Sequence, residues 1–414
     1  MSKLSLAKDK IRVLLLEGVH DSAVGVLASH GYTNIERLPK ALDEAELIER
    51  IQGVHVLGIR SRTEITEPVL AAADRLMTIG CFCIGTNQVD LLEARRLGIP
   101  VFNAPFSNTR SVAELVMGEI VMLIRGIFPK SQAAHRGEWI KSAANSYEVR
   151  GRTLGIIGYG NIGAQLGIIA ESGFGMRVLY HDVLDRLPLG NARPASSLRE
   201  LLTESDVVSL HVPETPETAG MLGAAEIASM RPGSLVINAS RGTVVDIDAL
   251  AEALKRQHIL GAAIDVFPEE PSGADVPFVS PLRGLPNVIL TPHIGGSTAE
   301  AQERIGVEVA RKLTDWSDIG SSLGAVNFPQ AQLPPRPAGV RFLHLHHNVP
   351  GLLARVIEVF ACQDANITAQ YLQTDAEIGY SVIDAEGDLD TEEILVALRA
   401  IPGTIRARFL YERR

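Results

Sequence analysis

The chain has 414 residues, 46% hydrophobic and 21% charged, with a formal net charge of −10. That length sets two or three domains of roughly 100–200 residues each, and the acidic balance argues against nucleic acid or a membrane surface as partner. The first ten residues lack the apolar core of a secretory signal, residues 112–128 are broken as a span by Glu114, Glu119 and Arg125, and Cys81, Cys83 and Cys362 suggest no disulfide framework, so the cytoplasm is the expected compartment.

Taken in order, residues 11–16 read as a strand, 21–30 and 42–51 as helices, 54–59 and 76–79 as strands, and Val101-Phe102 as a short last strand. The alternation predicts a parallel sheet with helices on its faces. Arg60, Ser61 and Arg62 follow one strand end, and Gly85, Thr86 and Asn87 follow another. Open parallel sheets bind ligands at such places. Ser111-Val112-Ala113-Glu114 reads as a capping box. It opens a long helix through Val116, Met117, Ile120, Leu123 and Ile124, apolar on more than one face and therefore buried or at an interface. Residues 131–150, with Trp139, Lys141 and Tyr147, read as an arm or loop-rich link.

Leu154-Gly155-Ile156-Ile157 then runs as a buried strand into Gly158-Tyr159-Gly160-Asn161-Ile162-Gly163. In a Gly-x-Gly-x-x-Gly turn the first glycine makes the tight turn, the second admits a pyrophosphate, and the third lets the helix pack on the strand. The helix N-terminus offers free N–H groups to that anion. A second apolar run, 177–181, ends in Asp182, where a carboxylate can hydrogen-bond the ribose hydroxyls and repel a 2′-phosphate. NAD is the expected cofactor, with no metal. Further strands end in Val212-Pro213, in Ala239-Ser240-Arg241-Gly242, in a turn through Glu270-Pro271, and in Pro292-His293. Gly295-Gly296 forms a hinge before a helix over 298–316. A proline-rich linker, 331–339, precedes a βαββαβ module over 340–414, the ferredoxin-like order.

Arg241, Glu270 and His293 sit just past successive strand ends. An imidazole can take an alcohol proton as general base. A carboxylate on its other nitrogen fixes the tautomer and stabilises the imidazolium. A guanidinium can bind a carboxylate through two parallel bonds. Asp265 is a candidate contact for the nicotinamide end of the cofactor.

Across residues 1–330 these strings resemble the D-isomer-specific 2-hydroxyacid dehydrogenases, notably Gly158 to Gly163, Asn238-Ala239-Ser240-Arg241-Gly242, Asp265 to Pro271, and Thr291 to Gly296. The resemblance implies two doubly wound parallel-sheet domains. One is a Rossmann nucleotide-binding domain over 108–294. The other is a flavodoxin-like substrate domain from 1–107 and 295–330. It carries Arg241, Glu270 and His293 over as substrate arginine, orienting acid and base, choosing Glu270 over Glu269 because it directly precedes proline. It adds Arg60, Ser61 and Asn108 as substrate contacts. The strings around Cys81-Phe82-Cys83 and Asn103-Ala104-Pro105 resemble the branch that oxidises 3-phospho-D-glycerate to 3-phosphohydroxypyruvate, the first step of L-serine synthesis, and imply a homotetramer. A side reaction on 2-oxoglutarate is a further implication, and another D-2-hydroxy acid is the alternative substrate. Arg60, Arg62, Arg110 and Lys141 are the candidate phosphate partners, unranked.

The C-terminal module resembles an ACT domain. That implies an L-serine effector site across a domain pair, at His346, Asn348 and Asn366. Pro334, Pro335 and Pro337 stand where related chains often have linker glycines, so serine binding is a firmer expectation than strong serine inhibition.

Overall fold

The computed structural model describes residues 7–271, 276–335 and 339–411. The chain divides into two compact units, residues 1–107 with 302–414, and residues 108–301. Among the described residues no helix is long and apolar enough to cross a membrane.

The first unit holds a parallel sheet of β1 (Val13–Leu15), β2 (Ile35–Arg37), β3 (Val56–Ile59), β4 (Thr78–Cys81) and β5 (Val101–Phe102), in the order β2-β1-β3-β4-β5. β1, β3 and β4 are buried along their whole length, as expected where helices cover both faces. The helix Ala299–Ile319 sends Ile305, Val309, Leu313 and Trp316 into the core against Val13, Leu15, Val56 and Phe82. Three elements escaped the sequence reading: β2 and the helices Glu67–Ala72 and Leu91–Arg96. All are of six residues or fewer, too short for periodicity to declare itself.

The C-terminal module belongs to this same unit. It contains β13 (Val340–His347), β14 (Asn366–Thr374), β15 (Ile378–Glu386) and β16 (Thr404–Tyr411), antiparallel in the order β14-β15-β13-β16, as the βαββαβ order predicts. One face packs Phe342, Ile383, Ala407 and Phe409 against Val356, Phe360, Ile394 and Leu398 of its two helices. The other packs Leu343, Leu345, Tyr380 and Val382 against Trp316 and Phe328. The Tyr380 hydroxyl donates to the Gly320 carbonyl at 2.6 Å. Ala331 and Leu333, in the segment read as linker, are buried in that core. Pro337 lies outside the described residues.

The second unit is a seven-stranded parallel sheet. Its strands are β6 (Thr153–Ile157), β7 (Arg177–His181), β8 (Arg193–Pro194), β9 (Val207–Leu210), β10 (Ser234–Asn238), β11 (Ile259–Ile264) and β12 (Val288–Leu290), in the order β12-β11-β10-β9-β6-β7-β8. The order reverses direction at β6, and ligands bind beyond the strand ends at such a switch point. The long helix runs Thr109–Arg125, with nine residues buried. The capping box does not form. The helix begins two residues before Ser111, whose hydroxyl instead bonds the Thr298 hydroxyl at 2.8 Å, while Glu114 pairs with Arg110 at 2.5 Å. Tertiary packing has overridden the local motif. The first quarter of the stretch read as an arm, 131–135, is also helical, as the end of the helix Ile127–His135.

Candidate active site

The glycine turn closes β6 as its residue types require. Gly158 has φ of +89°, a left-handed conformation that glycine takes without strain, and a Cβ there would collide with the His211 carbonyl. A Cβ on Gly163 would collide with the Gly158 carbonyl, so the helix Asn161–Phe174 lies directly on the strand end. A Cβ on Gly160 would meet open space, so the backbone there faces solvent with no side chain in the way. Asp182, at the tip of β7, accepts the Tyr159 N–H at 2.8 Å and the Leu184 N–H at 2.9 Å, and pairs with Arg186 at 3.2 Å. Glycine turn, open helix N-terminus and fixed carboxylate together fit a dinucleotide.

The chemical groups come from the loops after β10, β11 and β12. Asn238 organises the first loop: its Oδ1 accepts from the Ser240 hydroxyl at 2.7 Å, and its amide donates to the Arg241 carbonyl at 2.9 Å. Gly242 admits the second loop, because a Cβ there would overlap Phe267 and Pro268. That close approach brings Glu270 towards Arg241. Glu270 Oε1 accepts the Phe267 N–H at 3.3 Å, and its two oxygens lie 3.1 and 3.0 Å from His293 Nδ1.

Asp265 holds the third loop. It is 2% exposed and accepts from the Thr291 hydroxyl at 2.6 Å and from the Ile294 and Gly295 N–H groups at 2.8 Å each. Its carbonyl takes the His293 N–H at 2.9 Å. The clamp keeps His293 at φ of +54°, uncommon for a residue with a side chain and a form of local strain that clusters at functional sites. The Asp265 carboxylate is thus occupied by the turn that presents His293, a task sequence spacing could not reveal.

The hydrogen bond and charge of Glu270 raise the His293 imidazole above its ordinary range, against the effect of burial. Burial pushes the Glu270 carboxyl up, but the His293 bond and charge, the Phe267 N–H and Arg241 outweigh it and hold it low. The pair therefore favours carboxylate beside imidazolium, with Glu270 on Nδ1. Asn108 lies against the same turn, since a Cβ on Gly296 would press on its amide. It is buried, and its Oδ1 has no partner among the described residues.

Arg60 and Ser61 belong to the other unit, at the carboxyl end of β3. Their loop is held by Glu17, which sequence reasoning did not single out. This buried carboxylate, itself at φ of +59°, accepts the N–H groups of Arg60, Arg62 and Thr63 at 3.1, 3.0 and 2.9 Å. Gln88 fastens the loop further through the Arg60 carbonyl at 2.6 Å.

In the C-terminal module His346 is buried on β13, with Nδ1 2.9 Å from the His347 carbonyl and Nε2 without a partner among the described residues. Asn348 donates to the Asp375 carbonyl at 2.7 Å. Asn366 is not near them. His346 pairs with Gly379 and Asn366 with Glu386, seven residues along β15, or about 24 Å at ~3.4 Å per residue. One copy of the module cannot bring all three to one ligand.

Residues 117–295 match the family described as D-isomer specific 2-hydroxyacid dehydrogenase, NAD binding domain, and residues 342–406 match the AHAS small subunit-like ACT domain. The chain is 60% identical over 412 residues to the D-3-phosphoglycerate dehydrogenase of Escherichia coli (strain K12), covering 99% of this chain and 100% of that one. It is 57% identical over 410 residues to the enzyme of that name from Haemophilus influenzae, again 99% of this chain and 100% of the other. Among solved structures, D-lactate dehydrogenase from Aquifex aeolicus, complexed with NAD and lactic acid, aligns with a TM-score of 0.66 at 28% identity, over 74% of this chain and 95% of that one.

Proposed function

We infer the reaction from one premise, that the chain belongs to the D-isomer specific 2-hydroxyacid dehydrogenase family. It is an NAD-dependent dehydrogenase that oxidises 3-phospho-D-glycerate to 3-phosphohydroxypyruvate, the entry step of L-serine synthesis. The observation that carries this reading is the Glu270–His293 pair, set after adjacent strands beside Arg241 and in the same unit as the dinucleotide turn.

NAD, when bound, accepts the hydride from C2 of the hydroxy acid. Gly158, Gly160, Asn161, Ile162 and Gly163 hold its pyrophosphate end, and Asp182 its adenosine ribose. His293 Nε2 takes the C2 hydroxyl proton, and Glu270 steadies the charge that forms on the ring. Arg241 holds the substrate carboxylate and polarises the C2 oxygen in the reverse direction. Asp265 acts through His293, by fixing its turn. Asn108 offers an amide oxygen with no partner among the described residues, and Arg60 and Ser61 are further substrate contacts. The phosphate requires cations, with Arg60, Arg62, Arg110 and Lys141 as the candidates.

The C-terminal module senses L-serine. His346 and Asn348 of one copy and Asn366 of a second copy form the site, which explains why they stand apart within one chain. This reading requires an even-numbered assembly, and a cytoplasmic homotetramer satisfies it. Reduction of 2-oxoglutarate is a side activity of the same site.

The test is NADH formation from 3-phosphoglycerate and NAD, with and without millimolar serine, in wild type and His293→Ala. Activity that is lost in the variant and falls with serine is expected. Turnover confined to an unphosphorylated D-2-hydroxy acid would replace the substrate assignment. Activity indifferent to serine would leave the chemistry standing and remove the effector.

A further inference from the structure

Three arginines of the C-terminal module gather with no ion-pair partner among the described residues. Arg406 and Arg408 alternate with Ala407 on β16 and so share one face. Arg399 closes the helix Thr391–Ala400 just before that strand. Arg406 donates to the Leu76 and Gly98 carbonyls at 2.9 and 3.4 Å. Arg408 donates to the Trp316 carbonyl at 2.6 Å and lies over the Trp316 ring at 4.6 Å. Arg399 donates to the Ala407 carbonyl at 3.2 Å. These acceptors are neutral. Asp318, whose charge reaches Arg408, is already engaged by Lys8 and by the Tyr32 hydroxyl, each at 2.7 Å.

Burial and the repulsion of its two neighbours push Arg406 down to about 10, and burial lowers Arg408 as well. Like charges held together in a partly dry place cost stability unless an opposite charge joins them. The same three side chains line a cleft of about 410 Å³, closed on the other side by Ile11, Met77 and Ser317. That volume lies within the range of small-ligand sites.

We propose that the Arg399–Arg406–Arg408 cleft, between β16 and the Ile11–Met77–Ser317 wall, is a binding site for a phosphate-type dianion, either inorganic phosphate or a small phosphomonoester. A single carboxylate offers two oxygens and one charge. A tetrahedral dianion has enough oxygens and charge to meet three guanidinium forks, each of which suits oxyanion geometry. The Ile11 and Met77 side chains on the opposite wall suit a short organic tail. The arginines all stand on the wall from the C-terminal sheet, and the body of the first unit covers them, so the anion offsets the cost of burying like charges beneath that cover.

The test is calorimetric titration of the full-length protein with inorganic phosphate against chloride at equal ionic strength. It is repeated with glycerol phosphate, in wild type, Arg399→Gln and the Arg399→Gln/Arg406→Gln double variant. Saturable binding that weakens about tenfold or more in Arg399→Gln is expected, the size of one lost charge-assisted contact. The KM for 3-phosphoglycerate should not change. Tighter binding of glycerol phosphate than of inorganic phosphate supports the ester as occupant, and equal or weaker binding supports the free ion. Binding that is unchanged in Arg399→Gln and displaced by 3-phosphoglycerate would place the anion in the active site and overturn the proposal, as would an effect that chloride reproduces. Arg399 is exposed and makes a single carbonyl contact, so this variant reports even if the double variant fails to fold.

Discussion

Replacing Glu270 by Gln removes the charge opposite His293 and nearly preserves the shape. The His293 side chain is 50% exposed and that of Glu270 39%, so solvent screens the pair and the lower end of the charge-assisted range applies, about 1.5 kcal/mol. That predicts a fall of about tenfold in kcat/KM from weaker imidazolium stabilisation alone. A tautomer effect adds to it. The Phe267 N–H points at Oε1 at 3.3 Å and would orient the new amide with its carbonyl towards Phe267. The NH2 would then face Nδ1 and drive the ring proton onto Nε2, the position that must accept the substrate proton. Glu270→Ala, which lacks the NH2, separates the two effects. The pH profile gives an independent sign. His293 must be neutral to act as base, so activity rises with pH through its raised pKa. Without Glu270 that pKa falls, and the acid limb of kcat/KM moves to lower pH. The assay is initial-rate NADH formation between pH 5.5 and 9.5 under subsaturating 3-phosphoglycerate. An acid limb that stays in place, or moves to higher pH, would refute the assignment of the pair.

Gly158→Ala should lose at least about 2 kcal/mol of stability, because it combines left-handed strain with overpacking against the His211 carbonyl; thermal melts and NAD titration would show lower melting and weaker binding together. Arg341 donates bidentately to Asp384 at 2.6 and 2.8 Å with both side chains buried, so Arg341→Met should cost about 3–5 kcal/mol by leaving a lone buried charge, and Arg341→Met/Asp384→Leu should recover much of it in urea unfolding. Glu119 is 3% exposed, both its oxygens lack a partner among the described residues, and burial, helped by the Asp265 charge, pushes its pKa up to about 8. A raised acid stabilises the fold fully below its unfolded pKa, so wild type should lose about 1.4 kcal/mol per pH unit between roughly 4.5 and 8 relative to Glu119→Gln; matching pH slopes for the two proteins would show that Glu119 is charged in the fold.

Much of this protein is determined by sequence on its own, because the signals are local. A strand entering Gly158 can turn only with a left-handed glycine, and Gly163 must lack a side chain to sit on the strand, so the dinucleotide turn is legible from residue types. Buried parallel strands are short apolar runs with abrupt ends, which is why 177–181 and 234–238 match the observed strands. The helix Thr391–Ala400 likewise follows from its apolar spacing and from Asp390, which caps it. Tertiary structure decided what depends on distant partners. Ser111 abandons its capping box because Thr298 comes within hydrogen-bond reach. Asp265 clamps the His293 turn, and Glu17 holds the Arg60 loop, through contacts spanning 26 to 46 residues of sequence. His346 and Asn366 lie 20 positions apart in sequence, yet strand register sends them to opposite ends of β15. The three arginines at the end of the chain meet Met77 and Trp316 only because the C-terminal sheet folds back onto the first unit. Side-chain periodicity and turn chemistry act within a few residues, whereas hydrogen-bond partners, strained turns and charge clusters are chosen by which elements the packed core brings together.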